Sequence, residues 1–185
     1  MEHYERLGKI AEGASGTVYR ARDRRTGETV AIKRLRAGGG NGDGDAFAET
    51  FLREARCLEA CRGHPCLVEL RAAHRDGDGG GAFLVMEYAG RSLSEVVRER
   101  EGRGAGRRTF PEAEARRVMR RLLEGAAAMH ARGVLHRDLK PDNVLLDGRG
   151  RASRSATSAC PAPPPTPAAR RSRRAWPRCG TARRS

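Results

Sequence analysis

The sequence predicts an α+β protein with a β-rich first part, a helical second part and an irregular tail. Apolar runs of strand length alternate with glycine-containing turns over positions 4–35, which is typical of antiparallel strands. Two later segments, 46–60 and 110–132, carry apolar residues at helical spacing. Residues 151–185 are mostly Arg, Ala, Pro and Ser, a composition that cannot bury a core. We therefore expect this last stretch to be a disordered tail.

The first strands flank a glycine turn. Positions 4–12 alternate loosely, and a strand pattern resumes at 17–21 after the run Gly13-Ala-Ser-Gly16. A glycine-rich turn can approach phosphate groups and offer them backbone N–H donors, but on its own this pattern is better explained by a plain hairpin. The third strand, Val30-Ala-Ile-Lys33, ends in a lysine, and a lone lysine at a strand end is usually solvated.

The segment 46–60 predicts an amphipathic helix after a Gly/Asp-rich connection. Its apolar stripe is expected to contain Phe47, Phe51, Leu52, Ala55 and Leu58. Glu54 lies amid this stripe near the middle of the helix, whereas Glu49 and Glu59 are expected to be ordinary solvated carboxylates.

The next elements are two strands and two helices. The run His64-Pro-Cys-Leu-Val-Glu-Leu70 leads into a strand, and the apolar run 82–88 has the composition of a buried strand. Ser92 is expected to cap a short helix that ends near residue 101. A longer helix over 110–132 is expected to place its apolar residues in the core: Ala115, Val118, Met119, Leu122, Leu123, Ala126 and Met129.

The stretch 134–146 holds a polar loop between two apolar flanks. If the flanks are short buried strands, the loop between them is held rigidly. Asp138, Lys140 and Asn143 then project into one small volume: a carboxylate for a hydroxyl proton, an ammonium for phosphate charge and an amide oxygen for a metal ion. A solvated turn is the alternative for such a loop.

These motifs closely resemble those of eukaryotic serine/threonine protein kinases. The loop reads H-R-D-L-x-x-x-N, the third strand reads V-A-I-K, and the turn reads Ala11-x-Gly13-x-x-Gly16-x-Val18, with alanine in place of the first family glycine. The runs A-I-K-R-L and H-P-x-L-V-x-L look most like the cyclin-dependent kinase branch. The resemblance implies a protein-kinase-like fold, with the complete N-terminal lobe and hinge in 1–89 and a partial C-terminal lobe with the catalytic loop in 90–150.

The resemblance also implies a role for each site residue. Asp138 would take the substrate proton, Lys140 would neutralise the γ-phosphate of ATP, and Asn143 would bind Mg²⁺. Lys33 would pair with the α- and β-phosphates and be held by Glu54. The residues expected to contact ATP are Ala11, Gly13, Gly16, Val18, Ala31, Lys33, the gatekeeper Met86, and the hinge residues Glu87, Tyr88 and Ala89.

A protein kinase next needs an Asp-Phe-Gly segment, whose aspartate holds magnesium. No acidic residue follows Asp147, so the resemblance implies a chain truncated after the catalytic loop and impaired as a kinase. The tail can nevertheless encode this motif in a displaced frame, in which each codon joins the third base of one codon to the first two of the next. In that frame 152–160 can give L-K-I-G-D-F-G-L, and 175–185 can give V-A-T-L-W-Y-R-A-P-E. We infer that the tail is an out-of-frame translation of a kinase gene, caused by a frameshift, altered splicing or a gene-model error.

The hydropathy pattern favours an intracellular protein without a membrane partner, and the basic charge is mostly a property of the tail. The net charge is +14, of which +9 comes from nine Arg in 151–185. No apolar run reaches membrane-spanning length, and the first residues lack a signal-peptide pattern. We expect the nucleus or the cytoplasm. The five cysteines show no metal-ligand spacing.

Three functions remain open from the sequence. The first is transfer of the γ-phosphate of ATP to Ser or Thr of protein substrates, and the second is a non-catalytic fragment that binds nucleotide or titrates a partner. The third is nucleic-acid binding through the tail, against which stands its single aromatic residue, Trp176. If the chain is a kinase, the sequence leaves open whether it binds a cyclin-like activator, because Ala48-Glu-Thr-Phe-Leu-Arg-Glu54 is only partly similar to the cyclin-contacting motif. The pair Ala14-Ser15 replaces the inhibitory Thr-Tyr sites of well-known members.

Overall fold

The computed structural model describes residues 2–13, 16–36, 44–75, 81–102, 110–147, 153–155 and 160–161. The strands are β1 (Tyr4–Gly13), β2 (Gly16–Asp23), β3 (Thr29–Leu35), β4 (Leu70–Arg75), β5 (Ala82–Glu87), β6 (Arg91–Ser92), β7 (Val134–Leu135), β8 (Val144–Leu146), β9 (Ser153–Ser155) and β10 (Cys160–Pro161). The helices are α1 (Gly44–Ala60), α2 (Leu93–Gly102) and α3 (Glu112–Ala131), and a 3₁₀ turn spans Pro141–Asn143.

The first five strands form one antiparallel sheet in the order β1-β2-β3-β5-β4. One buried cluster consists of Ala21, Val30, Ile32, Phe83 and Val85, which alternate with residues of the opposite face along their strands. The rings of Tyr4 on β1 and His74 on β4 meet edge to face at 6.4 Å. The two outer strands therefore approach each other, and the sheet curls around this cluster.

Helix α1 packs on the second buried cluster of the sheet region. Phe51 and Leu58 are buried there with Leu70 and Leu84. Leu52, however, is 44% exposed, so its predicted place in the apolar stripe is wrong. It follows Phe51 by one residue, and one residue turns a helix by roughly 100°, which directs Leu52 away from the sheet.

Helix α3 joins this first part to the segment that carries the loop 136–143. Met129 packs with Cys57 and Cys61 at the end of α1, and Val118 packs with Val144 and Leu146 of β8. No described helix is long and apolar enough to cross a membrane.

Two of the seven α3 residues predicted to be core are on the surface. Met119 is 51% exposed and Leu123 is 63% exposed. They lie one turn apart, so they form a neighbouring apolar pair on the helix. The prediction that they belong to the core is wrong, because helical spacing shows which residues share a face and not what covers that face.

The tail contributes two short strands. β9 pairs with β8, and β10 pairs with β7, both antiparallel. The prediction of a disordered tail over 151–185 stays a prediction, since most of that stretch lies outside the described residues. Backbone pairing needs only N–H and C=O groups, so a segment with no apolar pattern can still add to a strand edge.

Gly90 fixes the start of α2 against β8. Its φ is +108°, and a Cβ at this position would overlap the carbonyl oxygen of Leu146. β6, which follows it directly, pairs with Leu145 and Leu146. Only glycine combines this backbone conformation with so close an approach.

We expect Gly90→Ala to lower the free energy of unfolding by about 3 kcal/mol, since it adds a steric overlap to the strain of a positive φ. Gly27→Ala is the matched control, because Gly27 also has a positive φ, +74°, but faces open space. The control should cost about 1 kcal/mol. Urea unfolding of both variants measures the difference, and equal costs would show that the approach to Leu146 is not restrictive.

Candidate active site

Lys33 and Glu54 form a nearly buried ion pair. Lys33 lies on β3, opposite Val18 of β2 and Leu84 of β5. Its Nζ is 2.6 Å from Oε1 of Glu54, and the two side chains are 12% and 10% exposed. The structure thus brings together the lysine and the carboxylate that the sequence paired. Glu49 and Glu59 are exposed, as expected.

The pair depends on how α1 is packed. Phe51 lies one turn before Glu54 and Leu58 one turn after it, and both are buried against the sheet. The carboxylate is therefore held over β3 by apolar contacts on either side. In a poorly hydrated site such a pair is sensitive to the loss of either partner, because the remaining charge is left without compensation.

The loop 136–143 lies between β7 and β8, whose buried residues Val134, Val144 and Leu146 fix its ends. Asn143 donates from Nδ2 to the carbonyl oxygen of Asp138 at 2.7 Å and to its Oδ2 at 3.0 Å. Nζ of Lys140 is 2.9 Å from the same Oδ2. The three polar residues predicted to share one volume are therefore in direct contact.

The turn into Asp138 has an uncommon backbone conformation. Arg137 has a φ of +61°, which is rare for a residue other than glycine. The backbone N–H of Asp138 donates to the carbonyl oxygen of His136 at 2.9 Å and lies 3.3 Å from its Nδ1. His136 is 4% exposed, so it supports the loop from the buried side. No role was predicted for His136 from the sequence, although its place directly before Arg137 and Asp138 could have indicated one.

The close contacts shift the pKa values of Asp138 and Lys140. The hydrogen bond from Lys140, with a further one from Asn143, holds the pKa of Asp138 below its ordinary value. The same contact with Asp138 raises the pKa of Lys140. Asp138 is consequently an ionised acceptor, and Lys140 a charged donor, at neutral pH.

We expect Lys140→Met to raise the pKa of Asp138, since it removes the largest cause of the lowered value. The ionised form would then be lost at a higher pH as the solution is acidified. Carbon NMR titration of the carboxyl group measures this shift. Lys9→Met is the matched control, because Lys9 lowers the pKa of Glu12 and lies on β1, outside the loop. An unchanged Asp138 titration in Lys140→Met would contradict the assigned cause.

The glycine turn is the end of the β1–β2 hairpin. Ala11 pairs with Val18, and Gly13 pairs with Gly16, while positions 14 and 15 lie outside the described residues. Gly16 has a φ of +140°, and a Cβ there would overlap the carbonyl oxygen of Arg34 on β3. Gly16 is therefore required by packing on β3, besides any approach to a ligand.

The predicted hinge follows β5. Met86 is 8% exposed within the cluster under α1 and pairs with Ala31 of β3. Glu87 exchanges two contacts with Glu69: its N–H donates to the Glu69 carbonyl, and its Oε1 accepts from the Glu69 N–H, both at 3.0 Å. Tyr88 and Ala89 are half-buried. The Glu69 contact was not predicted, because its partners are far apart in sequence.

The residues present do not make a complete magnesium site. The Asn143 amide nitrogen is used by Asp138, which leaves its oxygen as one candidate ligand. Within the described ranges no group of three or more His, Cys, Asp or Glu could hold a metal ion. The sequence has no acidic residue after Asp147, whereas Mg²⁺ in phosphoryl-transfer sites is bound through carboxylates and phosphates.

Comparison with known proteins agrees with this fold and this loop. Residues 4–153 match the protein kinase domain, and the chain belongs to the protein kinase family. Within that family its relatives are cyclin-dependent kinases, so the predicted branch is confirmed.

Three relatives illustrate the similarity. The rice protein "Putative cyclin-dependent kinase F-2" (Oryza sativa subsp. japonica) is 65% identical over 155 residues, which cover 81% of this chain and 45% of that protein. Cyclin-dependent kinase G-2 of Oryza sativa subsp. indica is 37% identical over 150 residues, 81% of this chain and 20% of that protein. Human cyclin-dependent kinase 20 is 35% identical over 150 residues, which cover 81% of this chain and 40% of that protein. The chain thus spans less than half the length of these three relatives.

Proposed function

We propose that the chain binds ATP between the β1–β2 hairpin, Lys33 and the residues after β5, and transfers its γ-phosphate to Ser or Thr of a protein. The observation that carries this proposal is the direct contact among Asp138, Lys140 and Asn143 in a loop fixed at both ends. Such an arrangement matches what phosphoryl transfer needs, namely positioning and charge stabilisation.

Each residue has a distinct part in the proposed reaction. Asp138 accepts the proton of the substrate hydroxyl as its oxygen bonds to the γ-phosphorus, and the bond to the bridging oxygen breaks so that ADP leaves. Lys140 shifts from Asp138 toward the phosphate, where its charge offsets the developing negative charge. Lys33 binds the α- and β-phosphates and is kept in place by Glu54. The nucleotide would contact Ala11, Gly13, Gly16, Val18, Ala31, Met86, Glu87, Tyr88 and Ala89.

The same site supports a slow reaction only. Bound Mg²⁺ would supply positive charge that offsets the charge of the phosphates, and Asn143 is the residue of this chain that would contribute to holding it. Since no acidic residue follows Asp147, much of that charge stabilisation is missing. We therefore expect turnover well below that of a kinase with a complete metal site.

A second candidate is a non-catalytic chain that holds nucleotide or titrates a partner. The observation that favours it is the same shortage of carboxylates around Asn143. Lys33 and Lys140 would then carry the phosphate interaction, so nucleotide affinity would depend little on magnesium.

Partners and location follow from the family and from the charge of the chain. Proteins with exposed Ser or Thr are the proposed substrates, and a cyclin-like activator stays open because the α1 sequence is only partly similar to the cyclin-contacting motif. The nine Arg of 151–185 would give only non-specific contacts with nucleic acid. We place the protein inside the cell, in the nucleus or cytoplasm.

Two measurements on the purified chain separate the candidates. Fluorescent ATP is titrated with magnesium and with EDTA, and transfer of labelled γ-phosphate to a basic Ser/Thr peptide is followed in magnesium. Transfer that Asp138→Asn abolishes supports the kinase. Binding of equal strength in both buffers without transfer supports the second candidate. No binding in either buffer contradicts the kinase and the nucleotide-holding chain, and leaves only the chain that titrates a partner.

A further inference from the structure

The first turn of α2 is connected to the catalytic loop by a series of hydrogen bonds. Oγ of Ser94 lies 2.7 Å from Oδ1 of Asp142, in the 3₁₀ turn before β8. Oγ of Ser92 lies 3.0 Å from Oγ of Ser94, and the backbone N–H of Glu95 donates to Oγ of Ser92 at 3.2 Å. The series therefore runs from the N-terminus of α2 to a residue adjacent to Asn143.

The direction of each bond follows from the donors available. An ionised carboxylate only accepts, so Ser94 uses its one hydroxyl hydrogen to donate to Asp142. Ser92 must then be the donor to Ser94. Nη2 of Arg98, 3.4 Å from Oγ of Ser94, adds a further donor. All these donors act toward Asp142, and aligned hydrogen bonds of this kind strengthen one another.

Capping of α2 does not account for the Ser94 contact. The capping box is already complete without it: Ser92 accepts from the N–H of Glu95, and Glu95 accepts from the N–H of Ser92 at 2.9 Å. Ser94 lies two residues after the cap, Ser92. Its hydroxyl points out of the helix to Asp142, 48 positions later in the chain.

The two ends of the series are anchored independently of Ser94. On the α2 side, β6 pairs with β8 and Gly90 is pressed against Leu146. On the loop side, the N–H of Asn143 donates to the carbonyl of Lys140 at 2.9 Å, and its side chain donates to Asp138. Ser94 thus joins a fixed helix end to the turn that presents Asn143.

We propose that Ser94 is a positioning residue: its hydrogen bond to Asp142 holds the turn Pro141–Asn143 in the orientation in which Asn143 contacts Asp138. The effect on the turn is independent of any activity. The consequence for phosphoryl transfer rests on the proposed function, in which the first turn of α2 supports the catalytic loop.

Amide hydrogen exchange of the nucleotide-free chain, read by NMR, tests this inference. The reporters are the amides of Asn143 and Val144, which donate within the turn to Lys140 and Pro141. Ser94→Ala should speed exchange at both about fivefold, as expected for the loss of one charge-assisted hydrogen bond at a partly exposed position. Amides of β5 serve as the internal reference.

Two matched variants distinguish positioning from general destabilisation. Ser94→Thr keeps the hydroxyl and should restore exchange to the unmodified rate. Ser92→Ala removes the cap but leaves the contact of Ser94 with Asp142, so it should speed exchange in α2 more than in the turn. Unchanged turn exchange in Ser94→Ala, or an equal effect of Ser92→Ala on the turn, would overturn the inference.

A transfer assay then keeps this inference separate from the proposed function. If the chain transfers phosphate, Ser94→Ala should lower kcat by up to about fivefold, the factor that corresponds to one lost hydrogen bond, and leave the affinity for fluorescent ATP unchanged. If exchange responds as expected but no variant transfers phosphate, the positioning role stands and the kinase proposal fails. If the chain transfers phosphate but the exchange of the turn amides does not change in Ser94→Ala, the kinase proposal stands and the positioning role fails.

Discussion

Lys33→Met should abolish nucleotide binding and lower the free energy of unfolding by about 3 kcal/mol. The loss of binding follows from removal of the cation proposed to meet the phosphates. In the unmodified chain Lys33 lies 2.6 Å from Glu54 and compensates its charge. The loss of stability follows because Glu54, which is 8% exposed, would keep this buried charge without a partner in the variant. The estimate is at the low end for a buried pair, since both side chains retain some exposure. Urea unfolding and titration with fluorescent ATP measure the two effects.

The double variant Lys33→Met, Glu54→Leu separates the two effects. Replacing both charges by apolar groups of similar size removes the uncompensated carboxylate, so most of the stability should return. Nucleotide binding should not return. Arg36→Met is the matched control, because it breaks the exposed pair of Arg36 with Glu12 and should change stability by less than about 0.5 kcal/mol. A Lys33→Met protein as stable as the control would refute the role given to burial.

This ion pair also shows what could be predicted from sequence. Lys33 follows the apolar run 30–32 of β3, and Glu54 lies within the apolar stripe of α1, so local patterns placed both. Their contact follows once α1 covers the sheet. Leu52, Met119 and Leu123 were assigned wrongly by the same patterns, because a type of residue at helical spacing does not reveal whether a neighbouring element covers it.

The contacts within the loop 136–143 were predictable because its polar residues are close in sequence. Asp138, Lys140 and Asn143 lie within six consecutive positions between two apolar flanks, and the structure finds them in contact. Ser94 and Asp142 are 48 positions apart, and neither carries a local pattern that points to the other. Contacts of this kind depend on how β6 and β8 pair, which becomes known only with the fold.

The tail illustrates a different limit. Its composition predicted the absence of a core, but composition has no bearing on whether backbone groups pair with a nearby strand edge. β9 and β10 use the edges of β8 and β7 in this way. They join the fold through backbone hydrogen bonds. The part of the chain that contains them has no Asp or Glu.

A chain carrying the displaced frame from Ala152 onward should transfer γ-phosphate at least about a hundredfold faster than the chain with the present tail. The displaced frame can encode D-F-G within 152–160, which supplies the missing carboxylate, and W-Y-R-A-P-E within 175–185. A preorganised charge at the transferring group is worth roughly two to three orders of magnitude in rate. The measurement is transfer from Mg-ATP to a basic Ser/Thr peptide by both purified chains.

Asp138→Asn in the displaced-frame chain is the control, and it should remove the gained activity while leaving ATP affinity unchanged, since Asp138 acts on the substrate proton. The coding nucleotides provide an independent criterion. Codons for 152–160 that do not permit D-F-G would end the frame explanation, whatever the assay shows. Equal transfer by the two chains would show instead that Asn143 and the two lysines, Lys33 and Lys140, suffice for the reaction, so that a second carboxylate is not what limits it.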